Sequence, residues 1–313
     1  MENLKERLRG IALGAAVGDA LGMPLEFQPP RNIYDLETEM VDGPLPAGTF
    51  TDDTEMALAL AQSLLARTPL DGADLAQRFV EWYRSNPPDI GVHTSHVLGL
   101  ISSGTPWQDA ATIVQEAHAI SASNGSLMRC WPVSVAYWNN SELLLSESRL
   151  QSSITHTHAD CVNACMFFNL LLQLLVNRST DLPADAALRE AISQASDLVD
   201  LGAEFRMLVE LAPVRIREAL ANTGWVRHTL ESALWAVLTT RSFEEALVQA
   251  VNLGNDADTT GSVAGALAGA LYGTEAIPRR WLEKLRGEFP LRSGTIWRTD
   301  ELVKLADRIA GFA

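Results

Sequence analysis

The stretch Asp256-Ala257-Asp258-Thr259-Thr260-Gly261-Ser262-Val263-Ala264-Gly265-Ala266-Leu267-Ala268-Gly269-Ala270-Leu271-Tyr272-Gly273 decides the reading of this chain. Gly261, Gly265, Gly269 and Gly273 recur every four residues, so on a helix they form one ridge. Each interior glycine costs about 1 kcal/mol relative to alanine. Close approach of another helix backbone is the simplest compensation. In a membrane such a ridge would read as a dimerisation face, but the apolar run is too short. The spacing therefore predicts a central, buried helix with Asp256 and Asp258 at its mouth.

A second acidic cluster, Thr51-Asp52-Asp53-Thr54, also opens a helical run, marked by Met56, Leu60 and Leu64. Taken singly, each cluster reads as an N-cap, because Asp and Thr accept from free helical N–H groups and acids suit the positive end of the dipole. Together they hold more carboxylate than two caps require. If they meet in space, they form an oxygen-lined site for a hard divalent cation such as Mg²⁺ or Mn²⁺. Without a cation, the same meeting would be repulsive and would raise the carboxylate pKa values.

Outward from these clusters the pattern is helical throughout, with strand signals nearly absent. Leu4, Leu8 and Ile11 mark a first helix. Further helices are expected near 73–85, 107–120, 142–150, 159–177, 184–197, 204–221, 229–239, 243–252, 260–272, 278–287 and 299–311. Pro106, Pro183 and Pro278 sit near helix starts, where the missing N–H matters little. The longest irregular stretch, about 27–50, is rich in Pro and Gly, and loops of that length are usually functional or disordered. No linker or repeat interrupts the chain, so 1–313 is expected to form one domain.

The chain has 313 residues and is 47% hydrophobic, ample for a sizeable core. Its formal net charge of −15 argues against a nucleic-acid surface, which would want a basic stripe. The three cysteines, Cys130, Cys161 and Cys165, fit a reducing cytosol better than a disulfide framework. The N-terminus reads as no signal peptide, and no run reaches the roughly 18 apolar residues of a membrane span. A cytoplasmic protein is expected.

Other segments have a chemical and a plain reading. Asn124-Gly125-Ser126-Leu127-Met128-Arg129 could present backbone N–H groups to phosphate, or be a turn. His158, Cys161 and Cys165 fall at helical spacing, but a fourth zinc ligand is not evident and the cysteines read as small core residues. Glu26 and Asp89 read as loop acids, and Trp225 as a core aromatic, unless a site gathers them. His93, His96, His118 and His228 have no evident company.

In order along the chain, Gly18-Asp19-Ala20-Leu21-Gly22 through Glu26, Thr51-Asp52-Asp53-Thr54, Ser123-Asn124-Gly125-Ser126-Leu127-Met128-Arg129, His156-Thr157-His158 and Gly254-Asn255-Asp256-Ala257-Asp258-Thr259-Thr260-Gly261 resemble the ADP-ribosylglycohydrolase family. The resemblance covers about residues 7 to 273. It implies an all-α, compact single-domain orthogonal helix bundle. It also implies a site for two Mg²⁺ or Mn²⁺ ions that cleaves ADP-ribose from a modified side chain or small acceptor. By position, Thr51, Asp52, Asp53, Asp256, Asp258 and Thr259 would hold metal. Glu26 and Asp89 would be the catalytic acids. Asn124, Gly125, Ser126 and Met128 would cradle the diphosphate, His158 would touch the ligand, and Trp225 would stack on adenine. Asn255 departs from the second glycine common among relatives, which puts the local turn in doubt. The implied partner is an ADP-ribosylated protein or small ADP-ribosyl substrate, arginine being the first acceptor considered. The alternatives are a catalytically silent binding protein of the same fold and a phosphoester or nucleoside hydrolase.

Overall fold

The computed structural model describes residues 2–118, 122–179 and 181–312. Among them lie fifteen α-helices and one small hairpin. The helices are α1 (Glu2–Gly22), α2 (Asp52–Ala66), α3 (Gly72–Arg84), α4 (Val92–Ser102), α5 (Trp107–Ala117), α6 (Trp131–Ala136), α7 (Ser141–Ser153), α8 (Ala159–Val176), α9 (Ala184–Leu198), α10 (Ala203–Leu211), α11 (Val226–Leu238), α12 (Phe243–Val251), α13 (Ala257–Tyr272), α14 (Arg279–Lys284) and α15 (Thr299–Ile309). The hairpin pairs β1 (Arg286–Glu288) antiparallel to β2 (Ile296–Arg298), with Gly287 opposite Trp297. The all-α expectation holds.

The ridge of α13 packs on a matching ridge of α1. Gly10 faces Gly269, Gly14 faces Gly265 and Gly18 faces Gly261, so the two helices run antiparallel. A Cβ on any of these six would overlap the carbonyl of its opposite number. Side chains are absent from the seam, and the backbones close on each other. Both helices are buried along nearly their whole length. The antiparallel sense brings the C-terminal end of α1, with Asp19 and Gly22, beside the N-terminal end of α13, with Asp256 and Asp258.

Around this pair one continuous hydrophobic core runs from Leu8 to Ala310. A small satellite cluster of Val97, Ala110, Ala111 and Val114 joins α4 to α5. Helices α1 and α8 are long and apolar enough to cross a membrane by length and composition, contrary to the expectation of no such run. Their most apolar windows are 89% and 78% buried within the protein, as core helices are.

Other boundaries depart from the periodic reading for identifiable reasons. The run expected over 204–221 stops at Leu211, where Ala212-Pro213-Val214 forms a 3₁₀ turn, because Pro213 cannot continue the ladder. The run expected over 278–287 ends at Lys284, and its last residues enter β1. Helix α4 lacks a clear apolar stripe, and α6 is six residues long, so neither announces itself. Residues 119 and 120 of the stretch expected over 107–120 lie outside the described residues.

The long stretch after Glu26 is irregular but tied down. Arg31 N–H donates to the Asn252 carbonyl, and the Asn252 amide joins the Glu37 backbone in both directions. Trp281 Nε1 donates to the Thr38 carbonyl.

Candidate active site

The two acidic helix mouths meet. Thr259 Oγ1 on α13 lies 3.4 Å from Asp53 Oδ2 on α2. Glu26, Asp89 and Asp258 bring one carboxylate oxygen each to within 4.8 Å of one another. A cavity of about 630 Å³ opens over them, with Glu26, Asp52, Asp89, Asn124, Gly125, Met128, Asp256, Asp258 and Thr259 in its wall. Residues from five separate stretches of chain, expected to act together, thus face one space.

Neither Thr51 nor Asp256 caps the helix that follows it. Thr51 precedes α2, yet makes no capping hydrogen bond to it. Asp19 does so instead, from α1. Its carboxylate accepts the Thr51 and Thr54 backbone N–H groups and both threonine hydroxyls, at 2.6–3.1 Å. Asp256, preceding α13, also makes no capping bond. Asp52 and Asp53 are therefore spared the capping role, and Asp53 Oδ1 is a buried oxygen without any partner. An orphaned buried carboxylate oxygen is expensive unless something positive meets it.

The electrostatics agree. Burial is the largest cause that raises the pKa of Asp52, Asp53 and Asp258 well above the carboxylate range, and the neighbouring carboxylates add to it. Glu26 is pushed up to about 8 by burial and then by Asp89, Asp256 and Asp19. Asp256 rises to about 6 through burial, opposed by hydrogen bonds from Asn124 and Thr259. Asp19 also rises to about 6 by burial, against its four donors. Converging hard oxygens, like charges and an orphaned acceptor are the donor chemistry of a divalent cation site.

Turn geometry delivers Glu26. Phe27 N–H donates to the Asn255 carbonyl at 2.6 Å, and Asn255 N–H donates to the Gln28 carbonyl at 2.7 Å. Gly254 and Asn255 are both left-handed, with φ of 65° and 53°. Asn is among the few non-glycine residues that accept this region, so the departure at Asn255 leaves the turn intact.

The Asn124–Met128 segment forms the adjoining wall. The Asn124 amide donates to Thr229 Oγ1 at 2.7 Å and to Asp256 Oδ2, which orients that carboxylate. Its backbone N–H donates to the Gly224 carbonyl. A Cβ on Gly125 would crowd Thr94 Oγ1 and the His156 ring, so only glycine fits there without displacement. Ser126 is placed differently: its buried hydroxyl meets Ser152 Oγ behind the wall. His158 caps α8, its Nδ1 accepting the Asp160 N–H, and does not line the cavity. Trp225 stands beside the mouth next to Gly224, half-exposed, with the Arg227 guanidinium 5.0 Å from its ring centre.

Sequence reading passed over three groups. Asp19 gave its signal only as part of a small-residue motif. His156 is buried, tilted against His93 with ring centres 4.6 Å apart, and sits between Thr155 and Ser123. Arg129 donates to Thr155 Oγ1, which lies 2.7 Å from His156 Nδ1, and His156 Nε2 lies 2.8 Å from Ser123 Oγ. Ser123 also lines the cavity. The signal for His93, His96 and His118 as wall residues was absent, because their company is tertiary. Cys161 Sγ donates to the Ser123 carbonyl and Cys165 Sγ to Ser126 Oγ, in keeping with small core thiols.

A profile of the ADP-ribosylglycohydrolase family matches residues 1–312. The ADP-ribosylarginine hydrolase Tri1 of Pseudomonas putida is 34% identical over 297 residues, 91% of this chain and 75% of that protein. The ADP-ribosyl-[dinitrogen reductase] glycohydrolase of Rhodospirillum rubrum is 32% identical, covering 90% of this chain and 91% of that one. Human ADP-ribosylhydrolase ARH3 is 26% identical, covering 90% and 89%. Among solved structures, an ADP-ribosylglycohydrolase-related protein complex superposes with a TM-score of 0.81 and 35% identity, over 100% of this chain and 99% of that one.

Proposed function

The chain belongs to the ADP-ribosylglycohydrolase family, and from that premise we propose that it hydrolyses ADP-ribosylated acceptors, with arginine the first acceptor, and releases free ADP-ribose. One observation carries the reading: both acidic helix mouths converge with Glu26 and Asp89 on one cavity while Asp19 takes over the capping of α2. The donor set fits two Mg²⁺ or Mn²⁺ ions. Thr51, Asp52 and Asp53 would hold them from α2, and Asp256, Asp258 and Thr259 from α13. When bound, such ions polarise substrate oxygens and acidify water.

The chain's own residues supply the rest. Gly125 lets the Asn124–Met128 wall sit close on Thr94 and His156, and Ser123 adds a hydroxyl to the cavity. Binding energy from the diphosphate fixes C1″ above the carboxylates. Glu26 and Asp89 bring carboxylate oxygens to within 4.8 Å of each other, and burial with that neighbouring charge pushes Glu26 up to about 8. That pair can take a proton from the attacking water and return one to the departing nitrogen. Water adds at C1″, the C1″–N bond breaks through an oxocarbenium-like state, and the guanidine leaves neutral or reprotonated. Free, buried cysteines support a reducing, cytoplasmic setting.

The test is release of ADP-ribose from ADP-ribosyl-arginine, ADP-ribosyl-serine and small ADP-ribosyl esters, with Mg²⁺ or Mn²⁺ supplied. Glu26→Gln is expected to keep ADP-ribose binding and lower turnover by roughly 10²–10⁴-fold. Binding without release from any linkage would favour a silent relative, and cleavage of the diphosphate would favour a phosphoester hydrolase.

A further inference from the structure

We propose that Phe27 selects the acceptor, its ring forming a stacking face for a planar guanidinium joined to C1″; this rests on the hydrolase reading of the cavity. Phe27 follows Glu26 and lines the same cavity. Its side chain is 81% exposed, so the ring adds little to the core. Its backbone is left-handed at φ 59°, a conformation that a bulky aromatic rarely adopts and that glycine takes freely.

The surroundings hold it there. The Phe27 N–H is fixed by Asn255, and Gln28 N–H closes back on the Leu25 carbonyl at 3.1 Å. A strained backbone carrying an unburied ring does nothing for the fold that glycine would not do better. The use of the ring lies in the cavity it faces.

Asn124, Gly125 and Met128 form the wall assigned to the diphosphate. Glu26, Phe27, Asp89 and Ile90 line the same cavity, so on the hydrolase reading a leaving group held at Glu26 is also beside Phe27. A guanidinium is planar, weakly hydrated and stacks on aromatic faces. Its edge N–H groups find acceptors in the Glu26 and Asp89 carboxyl oxygens. A serine oxygen presents neither plane nor cation. The ring therefore discriminates between the two linkages rather than serving both.

The experiment measures kcat/KM for Phe27→Ala, Phe27→Trp and Phe27→Gly on ADP-ribosyl-arginine and ADP-ribosyl-serine, with ADP-ribose affinity by calorimetry. The alanine and glycine variants are expected to lose about tenfold on the arginine substrate. They should keep ADP-ribose affinity and serine turnover within about twofold, and tryptophan should retain arginine turnover. Phe27→Gly should also melt no lower than wild type, because it relieves the left-handed strain. Undiminished arginine turnover in Phe27→Ala, equal losses on both substrates, or a wild type that cleaves only the serine linkage would overturn the proposal alone. Release from neither linkage by wild type would overturn it together with the hydrolase reading.

Discussion

Asp52, Asp256 and Asp258 reach the cavity from the ends of two buried helices, whereas Glu26, Phe27 and Asp89 reach it from loops. On the helix side every support is a backbone or a buried hydrogen bond. The glycine seam fixes α13 against α1, Asp19 fixes the start of α2, and Asn124 fixes Asp256. On the loop side the groups are more exposed: Glu26 and Asp89 are half-buried, and Phe27 is 81% exposed. On the proposed function, the contrast matches two tasks. Charged oxygens that must hold a cation need rigid placement, since small errors in geometry forfeit affinity. A surface that meets the acceptor tolerates looser support, and loops commonly carry such contacts.

The largest break in this comparison should come from the seam. Gly265→Val drives a branched side chain into the Gly14 carbonyl, with backbone on the opposing side and nowhere to relax. A loss of about 3 kcal/mol or more is expected in urea denaturation, with soluble folded protein much reduced. An unchanged midpoint would mean that the helices do not pack as closely as described.

Asp258→Asn should leave the fold standing and empty the helix side of its function. It removes one charged oxygen while keeping the shape. Calorimetry with Mg²⁺ or Mn²⁺ should show affinity for the ion severely weakened, and full affinity and stoichiometry would remove the shared-site idea. Asp19→Ala is expected to be intermediate. It strips four donors of their acceptor and should cost about 1–2 kcal/mol, the scale of a lost helix cap. It should also weaken ion binding, although Asp19 is proposed to touch no ion. A destabilised variant with unaltered ion affinity would confine Asp19 to the fold.

The smallest effect sharpens the comparison through pH. Burial holds the His156 ring well below its usual pKa, with His93 and Arg129 adding to the shift. The unfolded chain then binds a proton that the folded one refuses. The contribution of neutral His156 is complete above about pH 6.5 and is lost as pH falls below it, at up to about 1.4 kcal/mol per unit. The raised carboxylates act in the opposite sense, so the informative quantity is the difference between wild type and His156→Gln at each pH. That difference should shrink from pH 7 to pH 5. A constant difference would show that His156 titrates alike in both states.

Much of the helix side was legible in the chain. The four-residue glycine period of 261–273 required a close backbone neighbour, and two acid pairs at helix starts exceeded what capping needs. The neighbour carries the same period at Gly10, Gly14, Gly18 and Gly22, but the pairing emerged only in the structure, because no local rule says that two ridges belong together. The loop side was far less readable. His158 carried the expected polar contact by position, while the structure spends it on capping α8 and sets His156 behind the wall. Phe27 is a common residue type whose exposure and left-handed backbone have no sequence signature.

The sequence by itself determined the helical class, the buried glycine helix, the two acidic mouths and the family, because periodicity and motif spacing are local properties of the chain. Only the tertiary structure decided that Asp19 frees α2 from needing its own cap, that Asp53 keeps an unpartnered oxygen, and that Phe27 faces the cavity. Those facts depend on which groups compete for the same hydrogen bond across 32 or more residues of chain, and that competition is settled only when the helices pack.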